Sequence, residues 1–323
     1  LHDALPIFLF SASEYNGRVR FHDSAYYFKK QLFATALGLG VMYIVSSINY
    51  NFFIRLAPAA YLLSMVLSTA VLLVGQEING SRRWLSFGPL SFQPSEFAKV
   101  AVILFLTWQI ERTQKKTGSF WFLCRTMLSL LPIVGLVGSN NLSTAIIILG
   151  IGVILVFVSS PGYIQFIGPA CAGVGFIAVF LAAESYRLER LAIWRNPEKF
   201  EKGFQTIQGL YAIGSGGLFG RGFGNGLQKL GFVPEAQNDM IFSIICEEFG
   251  LVGSISLIIV FGLLLWRLCV ISMHARTLTG ALVAAGIMGH LAIQVILNIA
   301  VVTNTIPNTG ITLPFFSYGG TSV

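Results

Sequence analysis

The sequence predicts an all-α fold, a polytopic membrane bundle of about ten transmembrane helices whose first and last members are incomplete. Hydrophobic residues make up 54% of the chain and charged residues only 11%, and the mean hydropathy is +0.73. Apolar runs of about 20 residues, the length that crosses a bilayer, follow one another along the chain. A soluble domain of this size needs more charge on its surface, so we expect one membrane domain over residues 1–323.

The apolar runs place the spans in chain order. A partial first span ends near Phe10 and leads into a charged loop that runs through Glu14 to Lys30. The next eight spans are predicted at residues 31–48, 57–74, 97–110, 120–137, 142–158, 163–183, 240–265 and 280–302, and a tenth begins at Leu313 or Pro314. Residues 76–95 are polar and rich in turn residues, and 184–238 is the longest non-apolar region.

Both ends of the sequence read as cut. His2, Asp3 and Pro6 stand where a membrane helix needs apolar residues, so residues 1–7 are read either as non-native sequence or as the tail of a truncated helix. The last three residues stop where a new helix is expected to begin. We therefore expect a fragment of a longer protein.

Lysine and arginine in the short loops predict the orientation. If the spans alternate, one side of the membrane collects Arg55, Arg112, Lys115, Lys116, Arg125, Arg267 and Arg276. Basic short loops face the cytoplasm, whereas long loops escape this rule. The loop after the first span and the loops at 76–95, 184–238 and 303–313 are then expected to be extracytoplasmic.

Charge and cysteine usage exclude several classes of function. The net charge of +7 is spread between loops, which argues against nucleic acid as a partner. Cys124, Cys171, Cys246 and Cys269 show no CxxC spacing and lie in or beside apolar runs, so we expect free thiols and no metal site. No cofactor is predicted. A divalent cation that bridges a phosphate and a carboxylate is left open.

The predicted outer loops are nevertheless basic. The 76–95 loop holds Arg82 and Arg83, and the 184–238 loop holds Arg187, Arg190, Arg195, Lys199, Lys202, Arg221 and Lys229. One interpretation is solvated surface charge, balanced by Glu184, Glu189, Glu198 and Glu201. The other is an anion site, because guanidinium groups bind phosphate with paired donors. A phosphate that faces outward at a bilayer indicates a lipid pyrophosphate.

Several long motifs run through the chain in a fixed order. They are 79–84 (NGSRRW) with 93–99 (QPSEFAK), 203–208 with 234–239 (PEAQND), 247–250 (EEFG), and 313–322 (LPFFSYGGTS). Together they resemble the SEDS family, the FtsW/RodA/SpoVE proteins, over the whole chain from about Phe8. The resemblance implies a ten-helix bundle in the bacterial cytoplasmic membrane. It also implies polymerisation of lipid II into glycan strands outside the membrane, together with a class B penicillin-binding protein transpeptidase.

The chain departs from the family pattern in two places. Where members often have an acidic Pro-Asp-Leu-Gly-Thr turn before the sixth span, residues 140–144 read Asn-Asn-Leu-Ser-Thr. Any role that this aspartate has in the family is therefore not assigned to a residue of this chain. Asn238 stands where threonine is common, with no expected consequence beyond helix capping.

Asp239 is the predicted catalytic residue. Joining two lipid-linked sugars needs a base for the attacking hydroxyl and positive charge for the leaving pyrophosphate. Asp239 lies at the outer mouth of the eighth span and matches the family's proposed catalytic aspartate. The competing interpretation is a helix N-cap at Asn238 or Asp239. Capping lowers the basicity of the carboxylate, so catalysis would need partial burial to compensate.

Ten further residues are candidates for substrate binding. They are Arg83, Trp84, Glu96, Lys99, Arg187, Arg190, Gln205, Gln208, Glu235 and Ser317. Glu96 and Lys99, three residues apart on a helix, are expected to form an ion pair. Arg83 and Trp84 equally suit an anchor at the membrane interface, and Glu235 equally suits a solvated loop acid.

Four polar residues inside spans are predicted to support the site. Glu247 and Glu248 lie about 12 Å into the eighth span and point about 100° apart, so we expect different partners for the two. Each is either part of a buried pair or part of a substrate cavity. His290, Gln294 and Asn298 share one face of the ninth span. Interhelical hydrogen bonds explain that stripe better than a ligand does, so Gln294 and Asn298 are taken as structural.

A glycine-rich run between Gly214 and Gly226 is not read as a nucleotide loop. Its spacing is not GxGxxG, and no βαβ unit surrounds it. We expect a compact loop close to the lipid headgroups, with backbone N–H groups that face phosphate.

Three classes of function remain. The favoured one is a peptidoglycan glycosyltransferase that serves cell division or cell shape. A lipid II transporter would need polar groups at mid-membrane, which Glu247, Glu248, His290 and Gln294 could supply. The polar residues gather at one face, however, and no matching pair of broken segments is apparent. The third class is a scaffold that only recruits a penicillin-binding protein. The motifs favour FtsW over RodA or SpoVE only weakly.

Overall fold

The computed structural model of the protein describes residues 5–78, 81–87, 90–113, 120–160, 175 and 185–318. The α-helices in this part are α1 (Leu5–Phe21), α2 (Tyr26–Ser47), α3 (Tyr50–Val74), α4 (Pro94–Arg112), α5 (Phe120–Asn140), α6 (Leu142–Ser159), α7 (Ser185–Arg195), α8 (Phe204–Gly216), α9 (Ile241–Met273) and α10 (Leu278–Val302). The strands are β1 (Gln76–Ile78), β2 (Ser81–Phe87) and β3 (Leu90–Phe92).

The predicted polytopic helical fold is confirmed. Within the described residues, α3, α5, α6, α9 and α10 are long and apolar enough to cross a membrane. They match the third, fifth, sixth, eighth and ninth predicted spans, and α2 and α4 match the second and fourth. The seventh predicted span, 163–183, lies outside the described residues. The protein is therefore a multi-pass membrane protein.

The charged loop predicted after Phe10 is shorter than expected, because α1 continues to Phe21 and α2 begins at Tyr26. Arg18 and Arg20 lie on the exposed side of this helix, whereas Leu9 and Ala12 are buried. The charged residues therefore end the apolar run, but the helix continues through them.

The polar stretch 76–95, predicted as turns, contains a small antiparallel sheet in the order β1-β2-β3. Gln76 pairs with Trp84, and Leu85 pairs with Phe92. The sequence carried a signal for the first hairpin, since Asn-Gly at 79–80 is a dipeptide that favours a two-residue hairpin connection. The fold remains a helical bundle, to which the polar stretch adds this small sheet.

Two further predictions are corrected near the chain's carboxyl-terminal half. The predicted loop 184–238 contains α7, α8 and two short 3-10 turns at Pro197–Lys199 and Glu201–Gly203. The tenth span does not begin at Leu313 or Pro314, because residues 314–318 form turns. Phe315 has φ 67°, a left-handed conformation that no α-helix accommodates.

The chain forms two compact units. The first comprises Leu1–Tyr43, Ile177–Leu263 and Gln294–Val323, and the second comprises Ile44–Phe176 and Leu264–Ile293. In the second unit, α4 packs against α3 and α6, and α5 packs against α6. In the first unit, residues of α1, of the start of α9 and of the segment after α10 share a core that includes Leu9, Met240, Ile241, Ile245, Leu313 and Phe316.

Helix α9 is broken at Gly250, where φ is 66° and ψ is −161°. The backbone groups that the break releases are satisfied by residues 217–222. The four hydrogen bonds run from Arg221 N to Glu247 O (3.0 Å), Gly222 N to Glu248 O (3.0 Å), Leu251 N to Gly217 O (2.9 Å) and Val252 N to Leu218 O (3.1 Å). A membrane helix tolerates such a break only where other groups re-satisfy its backbone.

Glycine makes this close approach of two backbones feasible. A Cβ at Gly220 would lie 2.2 Å from the carbonyl oxygen of Glu248, and one at Gly216 would lie 2.0 Å from that of Cys246. A Cβ at Gly250 would lie 2.4 Å from the backbone nitrogen of Gly220. The glycine-rich run is thus a packing feature of α9, which sequence reasoning did not anticipate.

We expect Gly220→Ala to destabilise the protein by roughly 1–3 kcal/mol more than Gly224→Ala, because only the first methyl group overlaps another backbone. The two glycines are matched in conformation, with φ 79° and 81°, and the Cβ of Gly224 would meet no atom within 4 Å. Thermal unfolding of both variants in the same detergent measures the difference. Equal losses would show that backbone conformation, and not the contact with α9, sets the requirement for glycine.

Candidate functional site

Asp239 lies in the turn that leads into α9, two residues before the helix begins. Gln205, in the first turn of α8, donates its Nε2 to both carboxylate oxygens of Asp239, at 3.2 and 3.3 Å. Both residues belong to the first unit and are half-buried. The pair Gln205 and Asp239, both named as candidates from the sequence, is brought together by the fold.

Burial raises the pKa of the Asp239 carboxyl to about 6. The negative charge of Glu235 raises the pKa further, whereas the N–H groups of Asp239 and Met240 and the amide of Gln205 lower it. These hydrogen bonds weaken the base, but desolvation outweighs them. A carboxylate with this pKa accepts a proton more readily than an exposed aspartate does.

The backbone of Asp239 is held by α10. Asn298, which is fully buried, donates its Nδ2 to the carbonyl oxygen of Asp239 at 2.9 Å and to that of Ile311 at 2.7 Å. One turn earlier, Gln294 donates to the carbonyl oxygen of Thr312 at 3.1 Å. Asn298 and Gln294 of the polar stripe thus bind backbone carbonyls of segments outside the helices.

Ser317 fixes the same turn from the other side. Its hydroxyl donates to the carbonyl oxygen of Asn238 at 2.6 Å and accepts the N–H of Leu313 at 2.8 Å. The N–H of Tyr318 donates to the carbonyl oxygen of Gln237 at 2.8 Å. Because Ser317 is fully buried, its geometry supports a role in positioning Asp239 rather than in contact with substrate.

Glu235 lies just before the Asp239 turn and faces Arg20 of α1. Its carboxylate accepts a hydrogen bond from the side-chain amide of Asn238 and lies 3.9 Å from a guanidinium nitrogen of Arg20. Glu235 has φ 52°, a left-handed conformation that is uncommon outside glycine and asparagine. Arg20 was not singled out from the sequence, where it read as one charge of a solvated loop.

Of the predicted arginines in the 184–238 region, Arg190 contacts the segment that follows α10. Its guanidinium donates to the carbonyl oxygen of Asn308 at 3.2 Å, and Trp194 donates to that of Asn304 at 2.9 Å. The side chain of Arg187 lies outside the described part of α7. Gln208 is half-buried on α8, one turn after Gln205.

Four predicted binding residues belong to the second unit, separate from the unit that holds Asp239. Arg83 donates its Nε to the carbonyl oxygen of Asn140 at 3.2 Å, and Trp84 is half-buried beside it on β2. Lys99 and Glu96 form the predicted ion pair at 2.7 Å, with Lys99 only 1% exposed. In residues 140–144, which differ from the family pattern, the side chain of Asn141 caps α6 by accepting a hydrogen bond from the N–H of Thr144.

Glu248 and Glu247 have different partners, as predicted. Glu248 and Lys229 form a buried ion pair at 2.7 Å, and Ser11 of α1 lies between them, donating to Glu248 and accepting from Lys229 at 2.6 Å each. Sequence reasoning read Lys229 as a loop charge. The missed signal was a hydroxyl at Ser11 inside an apolar run.

The partners of Glu247 are backbone N–H groups of the segment that precedes α9, and not side chains of another membrane helix. The N–H groups of Leu227 and Gln228 donate to its carboxylate at 2.8 and 3.2 Å, and Arg221 lies 4.0 Å away. The two acids therefore fasten residues 227–229, which follow the glycine-rich run, to α9.

The predicted free thiols are confirmed at Cys124, Cys246 and Cys269, while Cys171 lies outside the described residues. In the described part of the chain, no group of three or more His, Cys, Asp or Glu side chains is arranged to hold a metal ion.

The chain matches the family model described as cell cycle protein, FtsW/RodA/SpoVE, over residues 4–323. Stage V sporulation protein E of Bacillus subtilis is 38% identical, with 98% of this chain and 88% of that protein aligned. A probable peptidoglycan glycosyltransferase FtsW of Saccharophagus degradans is 36% identical, over 94% of this chain and 81% of the relative.

Solved structures resemble the whole chain. A structure described as a peptidoglycan synthase complex that coordinates polymerization and crosslinking contains a chain with a TM-score of 0.79 and 31% identity, covering 100% of this chain and 93% of that one. The rod shape determining protein RodA of Thermus thermophilus gives a TM-score of 0.67 at 28% identity, covering 99% and 90%.

Proposed function

The chain belongs to the FtsW/RodA/SpoVE family, and from this premise we propose that it polymerises lipid II into glycan strands with Asp239 as the general base. Relatives named as probable peptidoglycan glycosyltransferases identify the class of activity. The chain is a peptidoglycan glycosyltransferase. The substrate, the role of Asp239 and the side of the membrane are the parts that we add.

The observation that carries the proposal is the environment of Asp239. Burial raises its pKa to about 6, so the carboxylate is ionised at neutral pH and still basic enough to take a proton. In the proposed step, a sugar hydroxyl attacks an anomeric carbon, its proton passes to Asp239, and the lipid pyrophosphate leaves. Asn298 and Ser317 hold the backbone of the turn, which keeps the carboxylate in place during this transfer.

Positive charge for the leaving pyrophosphate would come from the predicted basic loops. Arg190 supports this role because it contacts the segment after α10 that also fastens the Asp239 turn. We propose Gln205, Gln208, Glu235 and Arg187 as further substrate contacts of the first unit. Arg83, Trp84, Glu96 and Lys99 are the proposed contacts of the second unit.

We propose that the catalytic face is extracytoplasmic. The basic short loops predict the opposite face as cytoplasmic, which leaves the Asp239 turn outside. A class B penicillin-binding protein is the proposed partner. The similarity to a chain of a peptidoglycan synthase complex supports this pairing, since that complex is described as coordinating polymerization with crosslinking.

Transport of lipid II is the second candidate, and the acids on α9 were its main support. The carboxylate of Glu248 is paired with Lys229, and that of Glu247 accepts backbone N–H groups. Both acids are therefore engaged in fastening a loop, which weakens their use as groups along a transport path.

A reconstituted assay separates these functions. The protein and its penicillin-binding partner are placed in liposomes with lipid II and no nucleotide, and glycan chains are analysed after digestion with a muramidase. A parallel assay follows fluorescent lipid II across the bilayer. We expect glycan chains and no transport. Transport without glycan chains would contradict the proposed function.

The rate of polymerisation should depend on pH with a midpoint of about 6. Protonated Asp239 cannot accept a proton, so the rate should fall about tenfold per pH unit below the midpoint and level off above it. Initial rates in proteoliposomes at several pH values measure this profile. A rate that does not change through pH 6, with the protein still folded, would contradict the role of Asp239.

A further inference from the structure

Residues 217–232 form an apolar surface that no described part of the protein covers. Phe219 is 80% exposed and Leu218 is 62% exposed. The other exposed apolar side chains of the segment are Phe223, Leu227, Leu230 and Phe232. Single exposed apolar residues are common on proteins, but six within 16 residues mark a surface that meets something other than water.

The segment carries little exposed charge. It contains no acidic residue, and its cations are Arg221 and Lys229. Lys229 is buried against Glu248, which leaves Arg221 as the exposed cation of the segment. A mainly apolar surface with one exposed arginine and one exposed asparagine, Asn225, suits a bilayer, where a guanidinium can reach the lipid phosphates.

The position of the segment on α9 is set by the four backbone hydrogen bonds around Gly250. They place Gly217 and Leu218 beside Leu251 and Val252. From Leu251 onward, α9 exposes apolar side chains, among them Leu251, Val252 and Ile255. A transmembrane helix presents such side chains to lipid, so the exposed surface of the segment continues the lipid-facing surface of the helix.

We propose that residues 217–232 are a membrane-inserted segment whose side chains Leu218, Phe219 and Phe223 contact the acyl chains of the leaflet next to the Asp239 turn. The break at Gly250 is what anchors this segment, because backbone groups at membrane depth must be paired within the protein. The segment thus joins Asp239 to the bilayer surface from which a lipid-linked substrate arrives. The inference depends on α9 spanning the membrane and not on the proposed chemistry.

Spin labels test the proposal in the full-length protein. The native cysteines are replaced, and single cysteines are introduced by Phe219→Cys and Phe223→Cys. Ile255→Cys serves as the lipid-facing reference, and Glu198→Cys, an exposed acidic position between α7 and α8, serves as the aqueous reference. Thermal unfolding and polymerisation activity confirm that each labelled protein is folded.

Accessibility to oxygen and to a water-soluble nickel chelate is then measured in phosphatidylethanolamine and phosphatidylglycerol vesicles. We expect the labels at 219 and 223 to give an oxygen-to-nickel collision ratio close to that of 255 and severalfold above that of 198. A ratio like that of 198 at both positions would overturn the proposal. Nickel access that disappears only when the penicillin-binding protein is added would also overturn it, in favour of a protein-binding surface.

Discussion

Asp239→Asn is expected to reduce the rate of glycan polymerisation by at least about 100-fold, because general base catalysis contributes on the order of 10² to 10⁴ in rate. The substitution keeps the shape of the side chain and the oxygen that accepts from Gln205. It also removes a carboxylate that burial disfavours in its charged form. The variant should therefore fold as well as the native protein. Initial rates with lipid II in proteoliposomes measure the loss.

Asp23→Asn is the matched control, since it makes the same chemical change at an exposed carboxylate of the first unit that pairs with Lys29. This control should polymerise at the native rate. Growth of cells that depend on each variant extends the test to the scaffold alternative. If Asp239→Asn supports normal growth and polymerises at the rate of Asp23→Asn, Asp239 is not the base.

Lys229→Met is expected to destabilise the protein by about 3–5 kcal/mol, because it leaves the buried carboxylate of Glu248 without a counter-ion. The hydroxyl of Ser11 would still donate a hydrogen bond to that carboxylate, but it carries no charge to balance it. The loop 217–232 should loosen from α9 as a consequence. The free energy of unfolding in mixed micelles measures the effect.

Two comparisons make the Lys229 result specific. Lys29→Met breaks a pair of similar length, 2.8 Å, but an exposed one, and it should change stability little. The double variant Lys229→Met with Glu248→Met should recover most of the loss, since an apolar pair can replace a buried ion pair. A double variant that is no more stable than Lys229→Met would show that the ion pair itself is not the cause.

The spans could be predicted from the sequence because the length and apolar composition of a membrane helix are sufficient to identify it. The bounds of α6, Leu142–Ser159, differ by one residue from the predicted 142–158. The extension of α1 past Phe10 was not predictable in this way, since charge on one face of a helix is compatible with a buried opposite face. The turn at residues 314–316 was missed because an apolar run does not reveal a residue such as Phe315 with positive φ.

The candidate site could be predicted in part. Asp239 and Gln205 stood out because they lie in motifs that resemble a known family. Lys229 did not, because nothing local to it indicates Glu248, and its partner Ser11 lies more than 200 residues away. The break at Gly250 was hidden for the same reason. A glycine inside a membrane helix is common, and its role appears only when residues 217–222 are seen beside it.

The most direct measurement is a titration of the Asp239 carboxyl itself. Infrared difference spectra of native protein against Asp239→Asn, recorded across pH in lipid, isolate the band of this one protonated carboxyl group. We expect a midpoint of about 6 that coincides with the midpoint of the polymerisation rate. A carboxyl that titrates near the ordinary aspartate value of about 3.9, while the rate falls at a different pH, would contradict it.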